Sequence, residues 1–188
     1  DTEEEFDWNK PFERKNTAIK NIAHQEKAQA IFAKYGIKPT YVIDYPVASQ
    51  TESFSILKDY YDKKLCDIGA HLHPWVTPPF TETVNNHNSF PGNLNYEQEY
   101  EKLKTLTNTI QKNFGFQPTI YKAGRYGVGQ HTTKILNQLG YTLDCSVVPN
   151  TNFNQNEGPD FSHIHNNKAY YFLNNKCLEM PLTLGYVG

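Results

Sequence analysis

The sequence predicts an α/β fold built on a parallel sheet, either open or rolled into a barrel. Three observations lead there. Amphipathic helical stretches alternate with short β-branched and aromatic runs along the chain. The strand candidates are almost continuously apolar, as strands covered on both faces are. The residues able to do chemistry fall at the carboxyl ends of those strands, where open sheets and barrels both carry their sites. With 188 residues and no break in composition, residues 1–188 read as a single domain.

The chain opens with five acids in seven residues, Asp1, Glu3, Glu4, Glu5 and Asp7, a composition typical of a solvated tail. Phe6, Trp8 and Phe12 argue for packing instead, since such tails are poor in aromatics. Over residues 16–35, Ile19, Ile22, Ala23, Ile31, Phe32 and Tyr35 recur at helical steps and Gly36 supplies the stop. Residues 39–44 read as a buried strand, and residues 49–64 as a capped helix ending in Lys63 and Lys64. The strand at 65–70 then delivers His71 and His73. A long loop follows at 74–95, and a loop of that length suits a substrate-facing role. Tyr96, Tyr100, Leu103, Leu106, Ile110 and Phe114 mark the next helix, closed by Gly115. A strand at 118–122, a turn at 123–127, a short helix at 130–139 and a strand at 141–148 come next. An Asn-rich loop occupies 150–167, and residues 169–173 and 177–182 read as short strands paired through Asn174 and Asn175.

A formal charge of -2 and a pI near 6.4 give no reason to expect nucleic acid, and no basic amphipathic run suggests a membrane surface. No apolar run is long enough to span a bilayer and no signal peptide is visible, which leaves the location open with the cytoplasm slightly ahead. Cys66, Cys145 and Cys177 are odd in number and far apart, which speaks against a disulfide framework or a zinc ribbon. The 13 Tyr and 11 Phe fit an ordinary core first and a carbohydrate-contacting surface second.

In a strand, side chains i and i+2 share a face, so His71 and His73 point the same way. Two imidazoles on a rigid strand end make half of a divalent metal site. A lone His-x-His pair is also common as polar surface, so acidic partners must decide. His163 and His165 form a second such pair but lie in the Asn-rich loop, and His24 and His131 fall on helix surfaces. His87 sits in the long loop within reach of a substrate. Trp75, Phe80 and Phe90 either line a sugar cleft or pack the loop. Asp44 ends a strand and either joins the site or starts the turn at Tyr45-Pro46. Asp144 and Ser146 read as structural hydrogen-bonding residues.

Taken together, Asp1-Thr2-Glu3-Glu4, Pro39-Thr40-Tyr41-Val42-Ile43, Asp67-Ile68-Gly69-Ala70-His71-Leu72-His73-Pro74, Tyr121-Lys122-Ala123-Gly124-Arg125-Tyr126-Gly127, Leu143-Asp144-Cys145-Ser146 and Leu178-Glu179-Met180-Pro181-Leu182 resemble, in order and spacing, the polysaccharide deacetylases of the NodB-homology superfamily, carbohydrate esterase family four. The resemblance covers nearly the whole chain. It implies a distorted (β/α) barrel of fewer than eight strands, here incomplete at both ends. It implies a hydrolase that removes acetyl groups from an N- or O-acetylated polysaccharide with a divalent metal, commonly zinc and more rarely cobalt or nickel. Asp1 would be the general base. Thr2 stands where the ligating acid usually is, so Glu3 becomes the carboxylate ligand, with Glu4 second in line. His71 and His73 would be the imidazole ligands, although one residue rather than three separates them. Arg125 would orient the base, with Lys122 as the alternative, and the Tyr126 backbone N–H would serve the oxyanion. The family takes the leaving group's proton from a histidine in a later strand. No such motif follows Leu182, so a fragment is expected that need not be active by itself. Two other readings stand beside this one: a glycoside hydrolase using Asp1 and Asp44, and a non-catalytic glycan-binding relative, suggested by Thr2 and the short histidine spacing.

Overall fold

The computed structural model describes residues 1–165, 168–171 and 176–185. Among the described residues six strands form one sheet: β1 (Thr40–Ile43), β2 (Asp67–Leu72), β3 (Ile120–Ala123), β4 (Leu143–Asp144), β5 (Tyr170–Tyr171) and β6 (Leu178–Glu179), in the order β1-β2-β3-β4-β6-β5. All neighbours are parallel except β5, which runs antiparallel to β6. The described strands form an open series; no pairing among them closes a barrel. Asn174 and Asn175, expected to join the last two strands, lie outside the described residues.

The helices are α1 (Gln25–Lys34), α2 (Tyr45–Ser49), α3 (Thr51–Asp62), α4 (Tyr96–Phe114) and α5 (Thr132–Gln138). In α4 every terminal signal agrees. The Asn95 side chain accepts from the Gln98 amide, Glu97 and Glu99 sit at the positive end and Lys112 at the negative end, and Gly115 closes the helix at φ 84°. Its face of Leu103, Leu106, Ile110 and Phe114 packs with Leu57 of α3, Ile135 of α5 and the strand residues Ile43, Ile68, Ala70, Leu72 and Tyr121 into one core. Among the described residues, no helix is long and apolar enough to cross a membrane.

Three expectations are corrected. The helix expected over 16–35 starts as a 3-10 turn at Lys20–His24, and Ile31 and Tyr35 are exposed while Gln29 is buried, accepting from the Tyr41 hydroxyl at 2.7 Å. The helix expected over 49–64 begins earlier and breaks once. Asp44 caps α2 through the Val47 amide, and Gln50 is extended before α3 resumes. The strand expected over 141–148 pairs only at Leu143–Asp144, because the residues beyond bond elsewhere: the Ser146 hydroxyl accepts from the Ala123 amide and the Val147 amide donates to Glu179.

The acidic opening segment is packed. The Thr2 amide donates to Val42 O at 2.9 Å in a parallel bridge alongside β1, and Glu5 N donates to Ala18 O at 2.7 Å. Thr2 and Glu4 are buried, and Phe6 and Phe12 pack on Trp75 at 5.8 and 4.6 Å. Gly69 has no room for a side chain, since a Cβ there would stand 2.9 Å from Ile120 O. That absence keeps β2 and β3 close beneath the histidines.

The long loop is pinned from below. Lys102 of α4 is buried and donates to Pro74 O, Thr77 O and Pro79 O at 2.9, 2.6 and 2.8 Å, with Glu82 as its ion partner at 2.9 Å.

Candidate metal centre

The carboxyl end of β2 presents two rings 4.7 Å apart, both 1% exposed. His71 Nδ1 lies 2.9 Å from Lys122 O. A carbonyl oxygen can only accept, so Nδ1 carries the proton and Nε2 the lone pair. His73 Nδ1 lies 2.8 Å from Glu4 Oε2, a carboxylate, and the same reasoning leaves its Nε2 as an acceptor.

Both free Nε2 atoms converge on one oxygen. Glu3 Oε2 stands 3.2 Å from His71 Nε2 and 3.5 Å from His73 Nε2, and the latter has no hydrogen-bond partner although buried. Burial pushes the His71 pKa down to about 4, helped by nearby His73 and Lys122 and opposed by Glu3; burial lowers His73 as well. For Glu3, burial disfavours the charge, but His71 and His73, when they carry protons, outweigh that by a bond and by their fields and bring it to about 2. At neutral pH the site therefore directs two lone pairs and an ionised carboxylate at one another. Such a set is stable around a cation. The spacing fits one: ligands about 2.1 Å from a tetrahedral ion stand roughly 3.4 Å apart, and three protein ligands leave the fourth position open. Glu3, His71 and His73 are thus able to hold a divalent metal.

A second layer fixes that set. Glu4 accepts from His73 with one oxygen and from Trp75 Nε1 with the other, at 3.0 Å. Its amide donates to Asp44 Oδ2 at 2.9 Å, and Asp44 Oδ1 caps α2 through Val47 N at 3.0 Å. Burial raises both Glu4 and Asp44, the latter well above the ordinary value, with Glu4 adding to the shift. Glu4, Asp44 and His73 also cluster within 4.8 Å. There, however, the short contact needs the proton on Nδ1, so the arrangement is a support rather than a second ion site.

Asp1 Oδ2 is 4.0 Å from His71 Nε2, and Asp1 Oδ1 is 2.6 Å from Lys122 Nζ. Strand register explains the pairing. Lys122 sits opposite His71 in the β2–β3 ladder and shares its face. Of the two partners expected for Asp1, the alternative, Lys122, is the one beside it, and Arg125 bonds instead to Ser89 Oγ and to Asn86 Oδ1 at 2.9 Å, with its guanidinium 3.9 Å above the Phe90 ring. Arg125 and Tyr126 are left-handed at φ 54° and 59°, a conformation that side chains resist and that stores strain beside the site. The turn presses close because residue 124 is glycine; a Cβ there would meet Leu72 O at 2.3 Å and His73 Cδ2 at 2.6 Å.

Of the expected substrate contacts, none faces the pocket. Trp75 is 1% exposed and stacks on His73 at 4.3 Å, beneath the site. Phe90 is buried under Arg125. His87 is on the surface, 3.6 Å from Glu157. His163 and His165 are exposed, with His165 bonded to Asn150. Asp1, Glu3, His71, His73 and Arg125 instead share a pocket of about 100 Å³ with Ala123, Tyr126 and Trp8. Trp8 was read with Phe6 and Phe12 as a packing aromatic of the acidic run and not as a site residue. Glu4, expected as the second-choice ligand, instead supports His73, and Asp44, expected either in the site or at the turn, caps α2.

No protein-family model matches the chain, and no curated protein matches it. Solved structures do. A Mycobacterium smegmatis protein assigned as a polysaccharide deacetylase superposes with a TM-score of 0.58 at 14% identity, over 84% of this chain and 45% of that one. The Xyl-CE4 domain of a multidomain xylanase from the hindgut metagenome of Trinervitermes trinervoides gives 0.49 at 11% identity, over 72% and 59%. The BpsB deacetylase domain from Bordetella bronchiseptica gives 0.49 at 12%, over 66% and 59%. The chain spans under half the length of the first of these. By its likeness to that structure, the chain has the polysaccharide-deacetylase fold.

Proposed function

We propose that this chain is the metal-binding part of a hydrolase that removes acetyl groups from an N- or O-acetylated glycan. The observation that carries the reading is the convergence of His71 Nε2 and His73 Nε2 on Glu3 Oε2 at 3.2 and 3.5 Å, with Asp1 beside them. The fold likeness supports it independently. A bound divalent ion, zinc first with cobalt and nickel as alternatives, supplies Lewis acidity toward the carbonyl and makes water a competent nucleophile near neutral pH.

The chain's own residues divide the remaining work. Asp1 takes the proton of the attacking water, and its pairing with Lys122 at 2.6 Å keeps it aimed. The Tyr126 amide, in the left-handed turn that lines the pocket, serves in this reading as the oxyanion donor. Glu4 orients His73, and Lys122 O orients His71.

The glycoside hydrolase alternative is disfavoured by Asp44. It is 0% exposed and both its oxygens are engaged by backbone amides, so it has no access to a glycosidic bond. The test is metal analysis of the purified chain together with acetate release from an N-acetyl-chitooligosaccharide, before and after chelation and in His71→Ala. Stoichiometric metal, chelator-sensitive acetate release and loss of both in the variant are expected. A chain that binds no zinc, cobalt or nickel while remaining folded refutes the reading and favours a non-catalytic glycan binder.

A further inference from the structure

Trp8 is an anomaly in a chain that buries its other tryptophan. Its indole is 55% exposed while Trp75 is 1% exposed, and it lies on the wall of the pocket that holds Glu3, His71 and His73. A single exposed ring is ordinary, and Ile31 and Tyr35 are as exposed; what sets Trp8 apart from the other exposed large side chains is that it lines this pocket.

The ring is fixed. It meets Phe6 at 5.1 Å and Phe12 at 6.3 Å, both near perpendicular. Phe12 packs on Trp75 at 4.6 Å, and Trp75 stacks on His73 at 4.3 Å. A continuous aromatic path thus ties the exposed indole to a candidate ligand, so the distance from Trp8 to the reacting centre is set by packing. The pocket size divides the substrate. At about 100 Å³ it is far below the roughly 300 Å³ of cavities that enclose a whole small ligand. It admits an acyl group of three heavy atoms, and the rest of the substrate must lie outside, against the rim.

We propose that Trp8 is the platform on which the pyranose ring carrying the acetyl group stacks, with the apolar C–H face of the sugar on the indole. This rests on the reading of the chain as a glycan deacetylase. Tryptophan is the strongest anchor for such contacts because it buries a large rigid area at small entropic loss. The acetyl group then reaches the pocket only from a sugar seated on Trp8, so the residue governs substrate affinity rather than the chemical step.

The experiment uses the full chain with zinc bound. In Trp8→Ala, KM for an N-acetyl-chitooligosaccharide should rise about ten-fold, while kcat moves far less and KM for 4-nitrophenyl acetate changes much less; Trp8→Tyr should recover most of the loss. A direct readout accompanies it, since the two tryptophans differ in environment: oligosaccharide should shift and quench the exposed emission of the wild type, and Trp8→Phe should abolish the response while buried Trp75 still reports a folded chain. Wild-type acetate release with an unchanged KM in Trp8→Ala overturns the platform alone. A sugar-dependent emission change in a chain that releases no acetate and binds no zinc, cobalt or nickel keeps the platform and overturns the hydrolase. Neither response in the wild type overturns both.

Discussion

Replacing Glu4 with glutamine tests the support beneath the ligand set. The glutamate side chain is fully buried and uses both oxygens, one for His73 Nδ1–H at 2.8 Å and one for Trp75 Nε1–H at 3.0 Å. Glutamine has one acceptor oxygen and one NH₂. Whichever way the amide turns, a donor faces a donor, and either His73 or Trp75 loses its partner. A hydrogen bond to a charged group contributes about 1.5–3 kcal/mol. The bond to His73 strengthens when its other nitrogen is drawn toward a cation, so the loss falls on the bound state. At about 1.4 kcal/mol per ten-fold, zinc affinity should drop roughly 10- to 100-fold, the range found for outer-layer partners of ligating histidines. Competition titration against a chromophoric chelator measures it, with near-UV circular dichroism to verify the fold. Glu4→Gln binding zinc within two-fold of wild type, with the spectrum unchanged, would refute the reasoning.

Other perturbations address separate parts of the molecule. Lys122→Met removes the cation paired with Asp1 and should lower kcat by about a hundred-fold, within the span of general-base effects, while zinc stoichiometry is kept; kcat within five-fold of wild type would dismiss the pairing as catalytic. On acidification His71 and Glu3 should each withdraw stability from the metal-free protein, in two overlapping windows, while the raised carboxyls of Glu99, Asp144 and Glu179 act in the opposite sense. From 6.5 toward about 4 the unfolded chain protonates His71 while the folded chain refuses, and from 4.5 toward about 2 the same holds for Glu3. Measured against His71→Gln over the same range, the wild-type melting temperature should therefore decline between pH 6.5 and about 4, and a difference that does not change with pH would contradict the shift. Lys102→Met strips three carbonyls and Glu82 of their shared donor and should lower stability by about 3–5 kcal/mol; a urea midpoint close to wild type would show that the loop does not depend on it.

How much of this was legible in the sequence depends on how local the signal is. The helix α4 was readable to its ends, because the apolar spacing lies within it and Gly115 follows it directly. The strand at 141–148 was overread because its second half is apolar for a different reason: Val147 and Val148 pack with Phe161 in a separate small cluster. In the site, the face shared by His71 and His73 follows from strand geometry alone. The choice between Lys122 and Arg125 does not. It is made by the pairing of His71 with Lys122 across two strands fifty residues apart and by the left-handed turn that carries Arg125 away to Ser89. Trp75 and Phe90 looked alike as cleft residues, and composition cannot tell a ring beneath a site from one beside it.

The opening segment reaches the sheet through the Thr2 amide on Val42 and the Glu4 amide on Asp44. Glu3 lies between those two stitches and grips whatever the imidazoles grip. An ion held there would act as a rivet joining the segment to the body of the protein, and its release would loosen both together. Sensitivity to a chelator would then be a property of the fold as much as of the chemistry.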